Sequence, residues 1–174
     1  MARPEITPDR MEAERTARFA EMKPSPVAFV DTKLPGHARD IFNVIGRGVT
    51  EDPALAPAIT DARNFNVTYV RCLPGNGAAL HAHPTVEVFI VMDGEFDVYW
   101  GDGGEHRTTL NRFDTISVPP GVMRGFENTG TGEGLLMAIL GGDDAGYVEW
   151  DETVLERAKQ TGMARAADGT LVMS

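Results

Sequence analysis

The sequence predicts an all-β fold, an antiparallel barrel or sandwich, with a helical segment near each end. Two observations predict the strands. From Asn64 onward, runs rich in β-branched and aromatic residues follow one another: NFNVTYVRCL, VEVFIVM, EFDVYW and FDTISV, with LLMAIL as an apolar run short enough for a buried strand. Between them stand PGNG, DG, GDGG, PPG and NTGTGEG, Gly/Pro punctuation that recurs roughly every ten residues, the rhythm of a barrel or sandwich. A third observation predicts the helical ends, where the composition turns to charged residues and alanine.

Taken in order, residues 1–60 read as an extension packing on the barrel. Thr7 offers an N-cap with Pro8 at the first helical position, DRMEAERTARFAEM favours helix, and Pro24 and Pro26 end it. The stretch LPGHARDIFNVIGRGVTEDP and the patch ALAPAIT read as loops and short elements that cover something larger. Residues 61–142 are the β core. In residues 143–174, Asp151 caps ETVLERAKQ, with Val154, Leu155 and Ala158 on one face and Gly162 at the stop. AADGTLVMS suggests a small final turn and strand. The three stretches form one domain overall, the size expected for 174 residues.

Composition narrows the function. With 42% hydrophobic and 24% charged residues the chain is neither disordered nor fibrous. A net charge of −10 argues against nucleic acid or anionic membrane as partner, because phosphate would repel it. No run reaches the ~18 apolar residues that a membrane span needs. The single cysteine, Cys72, leaves no intrachain disulfide framework and fits a reducing compartment. MARPEITPDR has no apolar stretch behind it and does not read as a secretory signal. The expectation is a cytoplasmic protein with a small-molecule partner.

The chemistry concentrates in PGNGAALHAHPTVEVFIVMDGE. His81 and His83 are two apart, so on a strand both imidazoles point to one face. Pro84 holds His83 extended and starts the turn. Glu87 opens the next strand, and at a strand spacing of about 4.8 Å it can reach the same point. Two neutral nitrogens and a carboxylate suit a divalent first-row metal.

At this point the sequence resembles the cupins, small antiparallel, jelly-roll-like barrels with a metal site inside. Their first motif is glycine, five residues, His-x-His, three residues, Glu, six residues, glycine; here it is met by Gly75, His81, His83, Glu87 and Gly94 at every spacing. In the second motif Pro119, Gly121 and Asn128 match, while Phe113 stands at a glycine position and Arg124 at the position of the fourth ligand, a histidine. The resemblance covers roughly residues 61–142. It implies His81, His83 and Glu87 as metal ligands and a homodimer. Iron is the favoured metal, because the set has the composition of the two-His-one-carboxylate oxygenase sites; manganese, nickel and zinc suit the same donors.

Arginine stays protonated and cannot ligate a metal, so two readings of Arg124 stand. In one, metal remains bound and Arg124 is a catalytic-site clamp for an anionic or dicarbonyl substrate of a dioxygenase-like oxidoreductase. In the other, Arg124 pairs with Glu87 and displaces the metal, leaving a ligand-binding module or an acid–base site. An isomerase, lyase or decarboxylase with a redox-inert metal is a third outcome, since fold does not fix function. Phe89, Val91 and Phe126 share parity with Glu87 and Arg124 and are expected to line the cavity. Which of Tyr69/Arg71 and Asp97/Tyr99 or their alternates face inward stays open. Asn128 reads as a turn residue, His106 as a solvated hairpin tip, His37 as a loop histidine, and Cys72 as a small buried hydrophobe.

Overall fold

The computed structural model describes residues 5–173. Two five-stranded antiparallel sheets face each other. The first has the order β1 (Asp40–Ile45), β2 (Phe65–Cys72), β9 (Gly134–Gly141), β4 (Glu87–Asp93) and β7 (Thr115–Val118). The second has the order β10 (Glu149–Trp150), β3 (Gly77–Ala82), β8 (Arg124–Asn128), β5 (Phe96–Trp100) and β6 (His106–Leu110). The all-β barrel expected from the sequence is what the chain forms.

Strand parity decides what fills it. In β4 and β9 alternate residues are buried, and Phe89, Val91, Leu136 and Ala138 meet Phe96, Val98 and Phe126 of the facing sheet. Phe126 packs edge-on against both Phe89 and Phe96, with centroids 5.4 and 6.2 Å apart. The parity left open for β2 and β5 is settled. Val70 and Val98 face the core. On the other face Arg71 pairs with Asp40 across β1, and Asp97 accepts from Thr109 and Arg107 on β6.

The ends differ from expectation in two places. Residues 40–45, read as loop, form β1, because DIFNVI pairs along β2 and buries its four central residues. The first helix, α1 (Pro8–Arg15), is shorter than its pattern and has no buried residue; Thr7 caps it as expected, and a single 3₁₀ turn follows at Phe19–Glu21. An eight-residue helix without an apolar face has nothing to propagate it. Toward the C-terminus, α2 (Glu152–Lys159) starts at its Asp151 cap and buries Val154 and Ala158. After it, β11 (Met163–Arg165) and β12 (Leu171–Met173) close a hairpin. These join a second apolar cluster of Val30, Leu34, Ala79, Val148, Trp150 and Met163 under the barrel's end.

Phe113, at the second motif's glycine position, has φ +72 and lies exposed in the turn before β7. The turn is fixed by Phe113 N–H donating to Val91 O at 2.7 Å and Val91 N–H donating to Asp114 O at 3.1 Å. A bulky side chain held in the left-handed region costs about 1–2 kcal/mol. Phe113→Gly is therefore expected to raise unfolding free energy by up to about 1 kcal/mol, after glycine's own entropic cost, in urea denaturation.

Candidate metal centre

His81 sits in the middle of a cross-strand row. In the second sheet it pairs with Arg124 of β8 on one side and Trp150 of β10 on the other, so the three side chains emerge on one face. His83 follows β3 directly, and Glu87, first residue of β4, enters from the opposite sheet. One ligand atom from each of His81, His83 and Glu87 can be chosen so that all lie within 4.8 Å of one another, and all three residues are buried.

The hydrogen bonds of the imidazoles define what they offer. His81 Nδ1 lies 2.7 Å from Ala79 O, and His83 Nδ1 lies 3.1 Å from Tyr147 O. A carbonyl only accepts, so each Nδ1 carries the proton and each Nε2 keeps its lone pair. Burial holds His81 well below the usual imidazole range, with His83 and Arg124 pushing the same way. His83 is lowered for the same first reason, burial, against an opposing pull from Glu87. Both rings are neutral and oriented by carbonyls in the way metal-bound histidines are.

Arg124 has no exposed surface. Its Nε donates to Glu87 Oε2 at 2.9 Å, its Nη1 donates to Val122 O at 2.9 Å, and its Nη2 has no partner among the described residues. His83 Nε2 lies 3.6 Å from the same Oε2. Two imidazoles, each with a bare Nε2, and a carboxylate thus cluster, and Arg124 Nε–H is the donor to that carboxylate. Such a concentration of lone pairs fits a cation. Two metal–ligand bonds of ~2.1 Å span at most ~4.2 Å, so the donors need to close by roughly half an ångström around an ion. The residues present fit a divalent metal, which His81, His83 and Glu87 would hold while Arg124 stays paired with Glu87.

The cavity beside these ligands has a volume of ≈ 40 Å³, room for a few waters. Phe89 and Phe126 line it as expected, together with Ile41, Val70, Leu140 and Trp150; Val91 does not. Arg124 does not line it either, although the sequence reading aimed it there as an anion clamp. Glu87 and the Val122 carbonyl hold it behind the carboxylate. Sequence reasoning missed Trp150 and Tyr147; both lie beyond the motifs, and only the pairing of β10 with β3 brings them to the histidines.

The other singled-out residues are structural. Asn128 Nδ2 donates to Cys72 O and Gly132 O, and its Oδ1 accepts from Gly130 N–H, so it is a buried turn residue. His106 is exposed beside Trp100. His37 is half-buried in its loop, with Nδ1 unpartnered. Burial pushes the Cys72 thiol up to about 11, which suits a packed hydrophobe rather than a nucleophile.

Two facing five-stranded sheets with a buried His-x-His and Glu at one end define a double-stranded β-helix barrel whose end could hold a metal. Residues 68–140 match the family described as Cupin domain. Germin-like protein subfamily 3 member 3 of Arabidopsis thaliana is 32% identical over 116 residues, 64% of this chain and 54% of that protein, so the chain spans about half the length of this relative. A cupin 2 domain-containing protein from Halorhodospira halophila superposes with a TM-score of 0.53 at 22% identity, over 70% of this chain and 77% of that one. An oxalate oxidase does so with a TM-score of 0.52 at 19% identity, over 72% and 61%. At such identities the solved structures show the fold. Residues 68–140, the greater part of this barrel, match a cupin domain.

Removing one partner of a buried pair leaves the other charge uncompensated, at a cost of about 3–5 kcal/mol. Arg124→Met is expected to lose that much stability without added metal. Part of the loss should return when Zn²⁺ is added, because the ion gives Glu87 a new cationic partner. Urea denaturation with and without Zn²⁺ checks both.

Proposed function

We propose that the protein is a metal-dependent cupin enzyme, dioxygenase-like, acting on a small anionic or dicarbonyl organic compound. His81 Nε2, His83 Nε2 and Glu87 hold a divalent transition metal, with iron favoured by the two-His-one-carboxylate set. The observation that carries this reading is the fixed tautomer of both imidazoles. Ala79 O and Tyr147 O take the Nδ1 protons and leave both Nε2 atoms bare, that of His83 at 3.6 Å from Glu87 Oε2 and His81 in the same buried cluster.

When bound, the metal supplies Lewis acidity and open positions for small ligands. The chain's own residues do the rest. Arg124 holds Glu87 Oε2 and so fixes the carboxylate's orientation. Phe89, Phe126 and Leu140 keep bulk water out of the cavity and lower the dielectric around any charge that develops there. Val148 and Trp150 add lining from the segment after β9.

The second reading, a metal-free ligand-binding barrel, draws on one observation: the 2.9 Å contact from Arg124 to Glu87 already supplies a buried cation. Metal analysis of untagged protein separates the two. The proposed enzyme carries about one iron per chain after anaerobic reconstitution, loses it in His81→Ala, and consumes oxygen with a small carbonyl acid. A chain that takes up no divalent metal under those conditions is the metal-free binder. Stoichiometric zinc or nickel keeps the ligands and overturns the oxygenase.

A further inference from the structure

The metal ligands lie within the family match, but much of the cavity wall does not. Phe29, Arg39, Ile41, Asn43, Val49 and Thr50 precede residue 68, and Val148 and Trp150 follow residue 140. The element nearest the ligands is the 147–150 segment. Tyr147 O orients His83 at 3.1 Å, and the Trp150 ring lies 5.3 Å from that of His81.

One side chain ties this segment down. Glu51, buried in the loop after β1, accepts from Trp150 Nε1–H at 2.8 Å through Oε1 and from Val30 N–H at 2.7 Å through Oε2. Arg165 Nε lies 2.8 Å from Oε1 as an ion pair, and Leu171 N–H donates to Glu51 O at 2.9 Å. Glu51 thus joins the N-terminal segment, the loop after β1, β10 and the C-terminal hairpin. A carboxylate withdrawn from water is a costly anchor unless its hydrogen bonds are kept. Glutamine cannot replace it, since either Trp150 Nε1–H or Val30 N–H would then face an amide donor.

We propose that Glu51 is a positioning residue that clasps Trp150 as the outer wall of the metal cavity, and that this wall restricts the site to ligands of a few heavy atoms. With a cavity of ≈ 40 Å³ the site takes dioxygen, azide or a carbonyl acid of a few heavy atoms and excludes an aromatic acid. The size class of ligand rests on the metal reading above; the wall does not.

The test therefore has two arms on the full chain. In the first, metal-free protein is mixed with benzene and saturation transfer is read by NMR. Wild type is expected to show none, Trp150→Ala a clear signal and Glu51→Gln an intermediate one. Trp150→Phe, which keeps a ring but drops the tie to Glu51, stands in if Trp150→Ala does not fold. Equal transfer to wild type and variants, or none to a folded Trp150 variant, overturns the wall. In the second arm, Co²⁺-loaded proteins are titrated with azide and with pyridine-2-carboxylate, read by visible absorption. Azide is expected to bind all alike, and pyridine-2-carboxylate at least about tenfold tighter to the variants than to wild type, a gap of about 1.4 kcal/mol. An unchanged ratio between the two ligands overturns the size selection. Failure of every protein to take up Co²⁺ removes the metal reading and the ligand class with it, and the benzene arm still decides the wall.

Discussion

A guanidinium fully withdrawn from water inside a barrel only about 10 Å thick needs a partner from the opposite wall, and Arg124 finds it in Glu87. The pair crosses from the second sheet to the first, so it fixes how the two sheets meet at this end. His81 shares its row with Arg124, and His83 approaches the same carboxylate oxygen. Burial keeps both imidazoles from protonating; Arg124 pushes the same way at both, and Glu87 opposes it at His83. Fold and chemistry at this end share one constraint.

The extensions follow from a second buried pair. Asp31 takes two hydrogen bonds from Arg39, at 2.8 and 3.0 Å, and accepts a third from Ala79 N–H on β3. Arg39 Nη1 also donates to His37 O and Gly77 O. Both carboxylate oxygens of Asp31 and both terminal nitrogens of Arg39 are used, the condition under which buried charges hold a structure rather than weaken it. Its effect is to bolt the segment before β1 onto the strand that carries His81. With Glu51 binding the other extension, the cavity has a wall that the barrel alone does not provide.

What could be read from the sequence divides along the same line. The strands after Asn64 were legible because alternation and Gly/Pro turns are local signals. The cluster of His81, His83 and Glu87 was legible because two imidazoles two residues apart must share a strand face, and Glu87 lies one short turn away. β1 was not, since DIFNVI buries four consecutive residues and so shows no alternation. Trp150 was not, since the pairing of a two-residue strand with β3 is a long-range fact with no local pattern. Phe113 was seen as a departure from the motif, yet the reason glycine belongs there, a backbone φ of +72, appears only in the folded turn. Arg124 was read at the right depth and with the right partner, but its contacts with Glu87 and Val122 keep it from the cavity.

Position aside, Arg124 still bears on what the site binds. With both imidazoles neutral, Glu87 and Arg124 cancel, so a dication at the proposed centre would be left with its whole charge uncompensated. With a neutral fourth ligand in place of Arg124, one of those two charges would be balanced by Glu87. In surroundings of effective dielectric ~20, one added unit charge at about 4 Å is worth about 4 kcal/mol to an anion. The guanidinium need not touch that anion. Held behind the carboxylate, it raises the demand for negative charge at the open positions, and Trp150 limits how large the carrier of that charge can be.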